Sequence, residues 1–145
     1  MDLTLSNSAI ASVDSIKYLG VVIKGGVKMT CNFDHAKLSF YKSFNCLLSK
    51  CKSAQSELTS VFLMKTYCLP HLTYAIEAVP LTSSTIKMFD KVIDNAVRKV
   101  FNVLDNGVLC DIRLAVGLSS MLLVYYKASC KFLMNFSNNA FTFST

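Results

Sequence analysis

Near Asn32 the apolar spacing of this chain changes from two residues to 3.6, which limits it to a short β segment followed by helices. Ahead of the change, Leu3 and Leu5 alternate with Thr4, and Ser6-Asn7-Ser8 supplies turn chemistry. A second polar cluster, Ser12, Asp14 and Ser15, leads into a β-branched and aromatic run from Ile16 to Ile23. These signals predict a β-hairpin over residues 3–23, with Ile16, Tyr18 and Gly20 facing one way and Lys17, Leu19 and Val21 the other. Gly25-Gly26 ends the second strand, and Gly20 inside it marks a bulge or the close approach of another backbone.

Beyond Asn32, a plausible N-cap, Phe33, Tyr41, Phe44, Leu48 and Cys51 suit one face of a helix over 33–52. A second helix is expected to start near Ser53 or Ser56, with Glu57 in its first turn, and to be stopped or kinked at Pro70. Residues 71–81 read as a short helix or an irregular packed turn. Thr82, Ser83 and Ser84 offer caps for a further helix whose stripe is Ile86, Phe89, Val92 or Ile93, Ala96 and Val100. Asp105-Asn106-Gly107 should break it. A shorter helix around 111–115 then ends near Gly117, and a last one over 119–135 carries Leu122, Tyr126, Cys130 and Leu133. The expected fold class is therefore mainly α (α+β): a hairpin over 1–26, a bundle of four to five helices over 27–136, and a disordered tail over 137–145.

The net charge is +6, and its position is informative. Residues 17–52 hold seven lysines (17, 24, 28, 37, 42, 50 and 52) against one acid, Asp34, so this segment carries the whole excess. A solvated lysine-rich surface is the plainer explanation on composition alone; a phosphate backbone is the natural partner if the lysines act together. Tyr18 beside Lys17 and the Phe40-Tyr41-Lys42 triplet add aromatic rings to the basic segment. Phe40 and Phe44 are expected in the core, and Tyr18 stays open between core and stacking.

Several chemistries lack their residues. Cys31 and His35 are four apart and Cys46 and Cys51 five apart, without a CxxC pair, so the six cysteines read as free thiols rather than a zinc site or a disulfide framework. There is no Gly-x-Ser-x-Gly elbow and no phosphate loop, and the nine acids are dispersed with no Asp-Asp pair. No cofactor is expected in this chain. The best membrane-span candidate, 58–79, is interrupted by Lys65, Pro70, His71 and Glu77, so no membrane is expected. Met1-Asp2-Leu3-Thr4 offers no signal sequence, which points to an intracellular protein.

The order of segments resembles the C-terminal part of the reverse transcriptase of non-LTR (LINE-like) retrotransposons. The resemblance rests on Lys17-Tyr18-Leu19-Gly20-Val21, on the basic helix after His35, and on the helix ending Asp94-Asn95-Ala96-Val97-Arg98-Lys99. Between them, Tyr67, Pro70, Tyr74 and Glu77 match a family pattern, Y-x-x-x-P-x-x-x-Y-x-x-E, with the proline one place early. The resemblance covers residues 3–135 and implies a palm-end hairpin followed by a thumb. It implies that Tyr18, Leu19 and Gly20, with Lys17, sit at the primer grip, and that Lys37, Lys42, Lys50 and Lys52 face the backbone of an RNA–DNA or DNA duplex. The family's catalytic acids, which bind Mg2+ in the parent polymerase, lie upstream in a palm that this chain lacks, so the chain alone is expected to be no enzyme. A missing palm and fingers would be its other partners. The alternative from a different class is a non-catalytic helical module that docks a protein.

Overall fold

The computed structural model describes residues 4–5, 8–9, 13–18, 21–25, 30–51, 56–74 and 76–142, and the chain falls into two units, Met1–His35 and Ala36–Thr145. It is mainly helical, with a short antiparallel sheet ahead of the helices.

In the first unit, β1 (Thr4–Leu5) pairs with β2 (Ser8–Ala9), and β3 (Ser15–Tyr18), β4 (Val21–Lys24) and β5 (Thr30–Asn32) form a three-stranded antiparallel sheet. The run expected as one strand from Ile16 to Ile23 is two strands paired with each other, Tyr18 opposite Val21 and Ile16 opposite Ile23. Leu19 and Gly20, between these strands, lie outside the described residues, so the bulge or close approach expected at Gly20 is not described. Ile23 also faces Cys31 on β5, so Ile16, Ile23 and Cys31 make one apolar cross-strand row. The ladder closes with the Gly25 amide donating to Asp14 O at 2.9 Å. β5 was not expected, and it extends the first unit past residue 26.

In the second unit the core is built on α1 (Asp34–Cys51), which buries Phe40 and Phe44 with their rings stacked at 5.9 Å. The cap is as expected in function: Asn32 Oδ1 accepts from the Asp34 amide at 2.7 Å. α2 (Glu57–Leu63) is capped by Ser56, and it widens into a π-helical turn at Met64–Cys68 before Pro70 opens the short α3 (Pro70–Thr73). Pro70 thus does not stop the helical path, which runs on as α3. Widening the preceding turn moves the carbonyls that a proline ring meets in a regular helix. Ser60, Met64, Cys68 and Leu72 are all buried and lie four apart. Four residues at about 100° each overshoot a turn by about 40°, so a regular helix would carry that stripe round to solvent; the π turn holds it on the core.

A 3-10 turn at Ile76–Ala78 leads to α4 (Ser83–Phe101), capped by Thr82, with Ile86, Phe89, Val92, Ile93, Ala96 and Val97 buried. Val97, missed by the expected stripe, is fully buried, while Val100 is half-buried. α4 ends at Asn102, in the left-handed region at φ 53°, rather than at Asp105-Asn106-Gly107. Those three residues instead start α5 (Asn106–Ala115): Asp105 Oδ2 accepts from the Val108 amide at 2.9 Å. The expected helix over 111–115 is only its second half. α6 (Met121–Thr142) follows. Its helix takes in residues 137–142 of the expected disordered tail, and Leu122, Tyr126, Cys130 and Leu133 are exposed.

α4 and α5 end in the same way. A residue at positive φ, Asn102 or Gly117, lets the next amide reach back to an arginine carbonyl: Val103 to Arg98 O at 3.2 Å, Leu118 to Arg113 O at 2.8 Å. Each arginine side chain then holds the chain beyond its helix. Arg98 donates to Leu104 O and Asn106 Oδ1. Arg113 donates to Asp94 Oδ1 at 2.6 Å, to Asp90 Oδ1 and Ser119 O at 3.0 Å, and to Leu118 O at 3.4 Å. Asp90 Oδ1 also accepts from the Met121 amide at 3.1 Å, so one cluster joins α4, α5 and the first residue of α6. Burial works to lower the Arg113 pKa, but hydrogen bonds and charge from Asp90 and Asp94 outweigh it, and the group is held above its ordinary value.

Arg113→Met should destabilise the protein by about 2–3 kcal/mol, below the 3–5 kcal/mol of a fully buried pair because the three side chains keep partial exposure. Arg113→Lys should recover less than half of this, since an ammonium cannot span both carboxylates. Urea unfolding followed by circular dichroism measures both. At Gly117 an added Cβ meets only Lys65 Nζ at 3.6 Å, but φ is +67°, so Gly117→Ala should cost about 1 kcal/mol through the backbone alone, read in the same experiment.

Candidate nucleic-acid interface

On α1, Lys42, Cys46 and Lys50 are spaced by four and share one face of the helix. That face forms one wall of a groove of about 590 Å3, and Leu63 and Tyr67 form the other, with Ser43, Leu47 and Cys51 completing the lining. The π turn places Tyr67, which is 64% exposed, beside Leu63 on the groove side. Lys42 and Lys50 are exposed and stand two turns apart, about 12 Å along the helix axis.

Three hydrogen bonds fix the surroundings. Ser43 Oγ pairs with His71 Nε2 at 3.0 Å, which ties α1 to α3. Lys99 Nζ donates to Asn45 Oδ1 at 3.0 Å, tying α4 to α1. Lys65 turns away to donate to Val116 O at 2.9 Å, at the C-terminal end of α5, where a cation is favoured. Among the described residues, every ion pair belongs to Arg113, so Lys37, Lys42 and Lys50 have no acidic partner. The groove can therefore offer two free ammonium groups and an aromatic ring over an apolar floor. The Ser43–His71 pair has, among the described residues, no carboxylate hydrogen-bonded to the imidazole, and it serves as a strut.

The expected site residues are only partly brought together. Lys42 and Lys50 meet at the groove. Lys37 is half-buried on α1 and is not part of the lining. Lys17 is exposed on β3, opposite Val22, in the other unit. Of Tyr18 only the pairing with Val21 is described, while Leu19, Gly20 and Lys52 lie outside the described residues. Sequence reasoning missed Leu63 and Cys46 as groove residues and saw Tyr67 only as part of a pattern. Their shared face depends on packing between helices distant in sequence. Phe40 and Phe44 are core, as expected.

Among the described residues no group of three or more His, Cys, Asp or Glu could hold a metal ion, and no helix is long and apolar enough to cross a membrane. No protein-family model, curated protein or solved structure matches the chain.

The cysteines divide by burial. Cys46, Cys110 and Cys130 are exposed, whereas Cys51 and Cys68 are buried. Burial pushes the Cys68 thiol up to about 11 from 9.0. At pH 8 a maleimide should therefore label Cys46, Cys110 and Cys130 and leave Cys68 unmodified, as read by peptide mass mapping. The linkage runs one way: the unfolded chain loses the Cys68 proton near pH 9 and the folded chain only near 11, so stability falls as pH rises between these values. Cys68→Ala should flatten that fall in unfolding curves taken from pH 8 to pH 11.

Proposed function

We propose that this chain is the palm-end strand and thumb of a reverse transcriptase of the non-LTR retrotransposon type, without its catalytic palm. In this reading α1 holds the backbone of an RNA–DNA or DNA duplex. The observation that carries it is the pair of unpaired lysines, Lys42 and Lys50, on one face of α1 beside the exposed ring of Tyr67. Two ammonium groups separated by two helical turns can each neutralise a phosphate along a strand. Tyr67 offers an apolar face and a hydroxyl to the sugar between them. Binding of this kind reads charge and shape rather than base sequence. The concentration of the net charge in residues 17–52 supports the same reading. The chain contributes contacts to the duplex, and chemistry belongs to a separate palm with its own carboxylates and Mg2+.

Fluorescence anisotropy with a labelled RNA–DNA hybrid tests the reading. Affinity should fall linearly in log–log form between 50 and 200 mM salt, and should be the same for unrelated sequences. Lys42→Gln with Lys50→Gln should reduce the salt slope by about 2, at about 0.9 per phosphate contact. Removing Lys37, Lys42, Lys50 and Lys52 together should weaken binding further. Unchanged binding in the fourfold variant, no retention of the parent chain on a polyanion column, or polymerase activity in the purified chain would each overturn the proposal.

A further inference from the structure

α6 departs from every other helix of the second unit in what it leaves uncovered. Met121 is buried and Val124, Tyr125 and Ala128 are half-buried, whereas every residue from Lys131 to Asn138 is exposed. The exposed apolar residues are ordered. Leu122, Tyr126, Leu133 and Phe136, 46–67% exposed, fall with the half-buried Ser129 on the alternating four-three spacing of a coiled-coil seam. Leu123 and Phe132 flank that strip, while Met134 stands seven residues after Lys127, on the outward side. The charged residues of α6, Lys127 and Lys131, fall on the outward positions of the same repeat, away from the seam. The positions that flank the seam, where charges usually select a different partner, are Leu123, Tyr125, Cys130 and Phe132.

We infer that α6 pairs with α6 of a second copy of this chain, antiparallel, to form a homodimer. Antiparallel seam layers match Leu122 with Leu133 and Tyr126 with Ser129, each twice by symmetry. Apolar meets apolar in the outer layers. In the inner layers the tyrosine of one copy lies over the small residue Ser129, whose Oγ is already buried against its own chain. Both lysines of each helix stay in solvent, so self-association brings no like charges together. Six apolar side chains, each giving up about 80–100 Å2, cover about 500 Å2 per copy and about 1,000 Å2 in total, the least area a specific interface buries. The contact is independent of nucleic acid.

The test is sedimentation equilibrium of the full chain, without nucleic acid, at 1–100 µM. The parent should have twice the 16.0 kDa chain mass. Leu122→Glu or Leu133→Lys alone should raise the dissociation constant by about thirtyfold or more, a loss of at least 2 kcal/mol. An equal mixture of the two single variants should recover dimer, because the antiparallel register sets residue 122 of one copy against 133 of the other. Both side chains are exposed, so far-ultraviolet circular dichroism should be unchanged in each variant. A monomeric parent at 100 µM overturns the inference, whether or not it floats with vesicles of anionic phospholipid. A dimer unaffected by either single variant also overturns it, and failure of the mixture to recover rules out the antiparallel register.

Discussion

Arg113 connects parts of the second unit that are distant in sequence. Asp90 and Asp94 lie one turn apart on α4, where two carboxylates repel each other. A guanidinium set between them, at 3.0 and 2.6 Å, turns that repulsion into a two-pronged attachment. The remaining donors are used on the carbonyls of Leu118 and Ser119, and Asp90 also receives the first amide of α6. This planar group anchors the start of α6, which also packs against the 3-10 turn at Ile76–Ala78 and against α4. The groove depends on a second tie of the same kind, Lys65 on the end of α5, which holds the π turn and its Tyr67 in place.

Much of the architecture was legible because it is local. The change of period near Asn32, the caps at Ser56 and Thr82 and the α4 stripe all involve residues within a few positions of one another. Errors arose where local signals have two meanings. Asp105-Asn106-Gly107 breaks a helix as well as it begins one, and Asn102 had already ended α4. Ile16 to Ile23 has the composition of one strand, yet it pairs with itself, because composition does not specify where a chain turns back. On α6 the apolar positions were legible, but not whether anything covers them. A stripe records what a helix can cover, and the nearby body covers only its first turns.

The site was less legible than the fold. A count of lysines locates the charge, but it cannot separate Lys42 and Lys50 from Lys37, which sits on the same helix and turns elsewhere. That distinction needs the opposite wall, and Leu63 and Tyr67 reach it only after the chain has passed through α2. Asp90 and Asp94 seemed dispersed among the acids because their common partner lies about 20 residues further on. Interactions between distant segments decide both cases, and no periodicity in a single segment encodes them.

The π turn at Met64–Cys68 amounts to one surplus residue stored inside a helix. Such a surplus can in principle creep along a helix by handing hydrogen bonds from one turn to the next, rotating side chains as it passes. Here Pro70 stands one residue beyond it, with no N–H to donate the next bond, so creep toward the C-terminus is blocked. Toward the N-terminus, Ser60, Met64 and Cys68 would have to leave the core together. The surplus is trapped between a chemical stop and a packing stop. The orientation of Tyr67 in the groove wall thus follows from where the surplus is trapped.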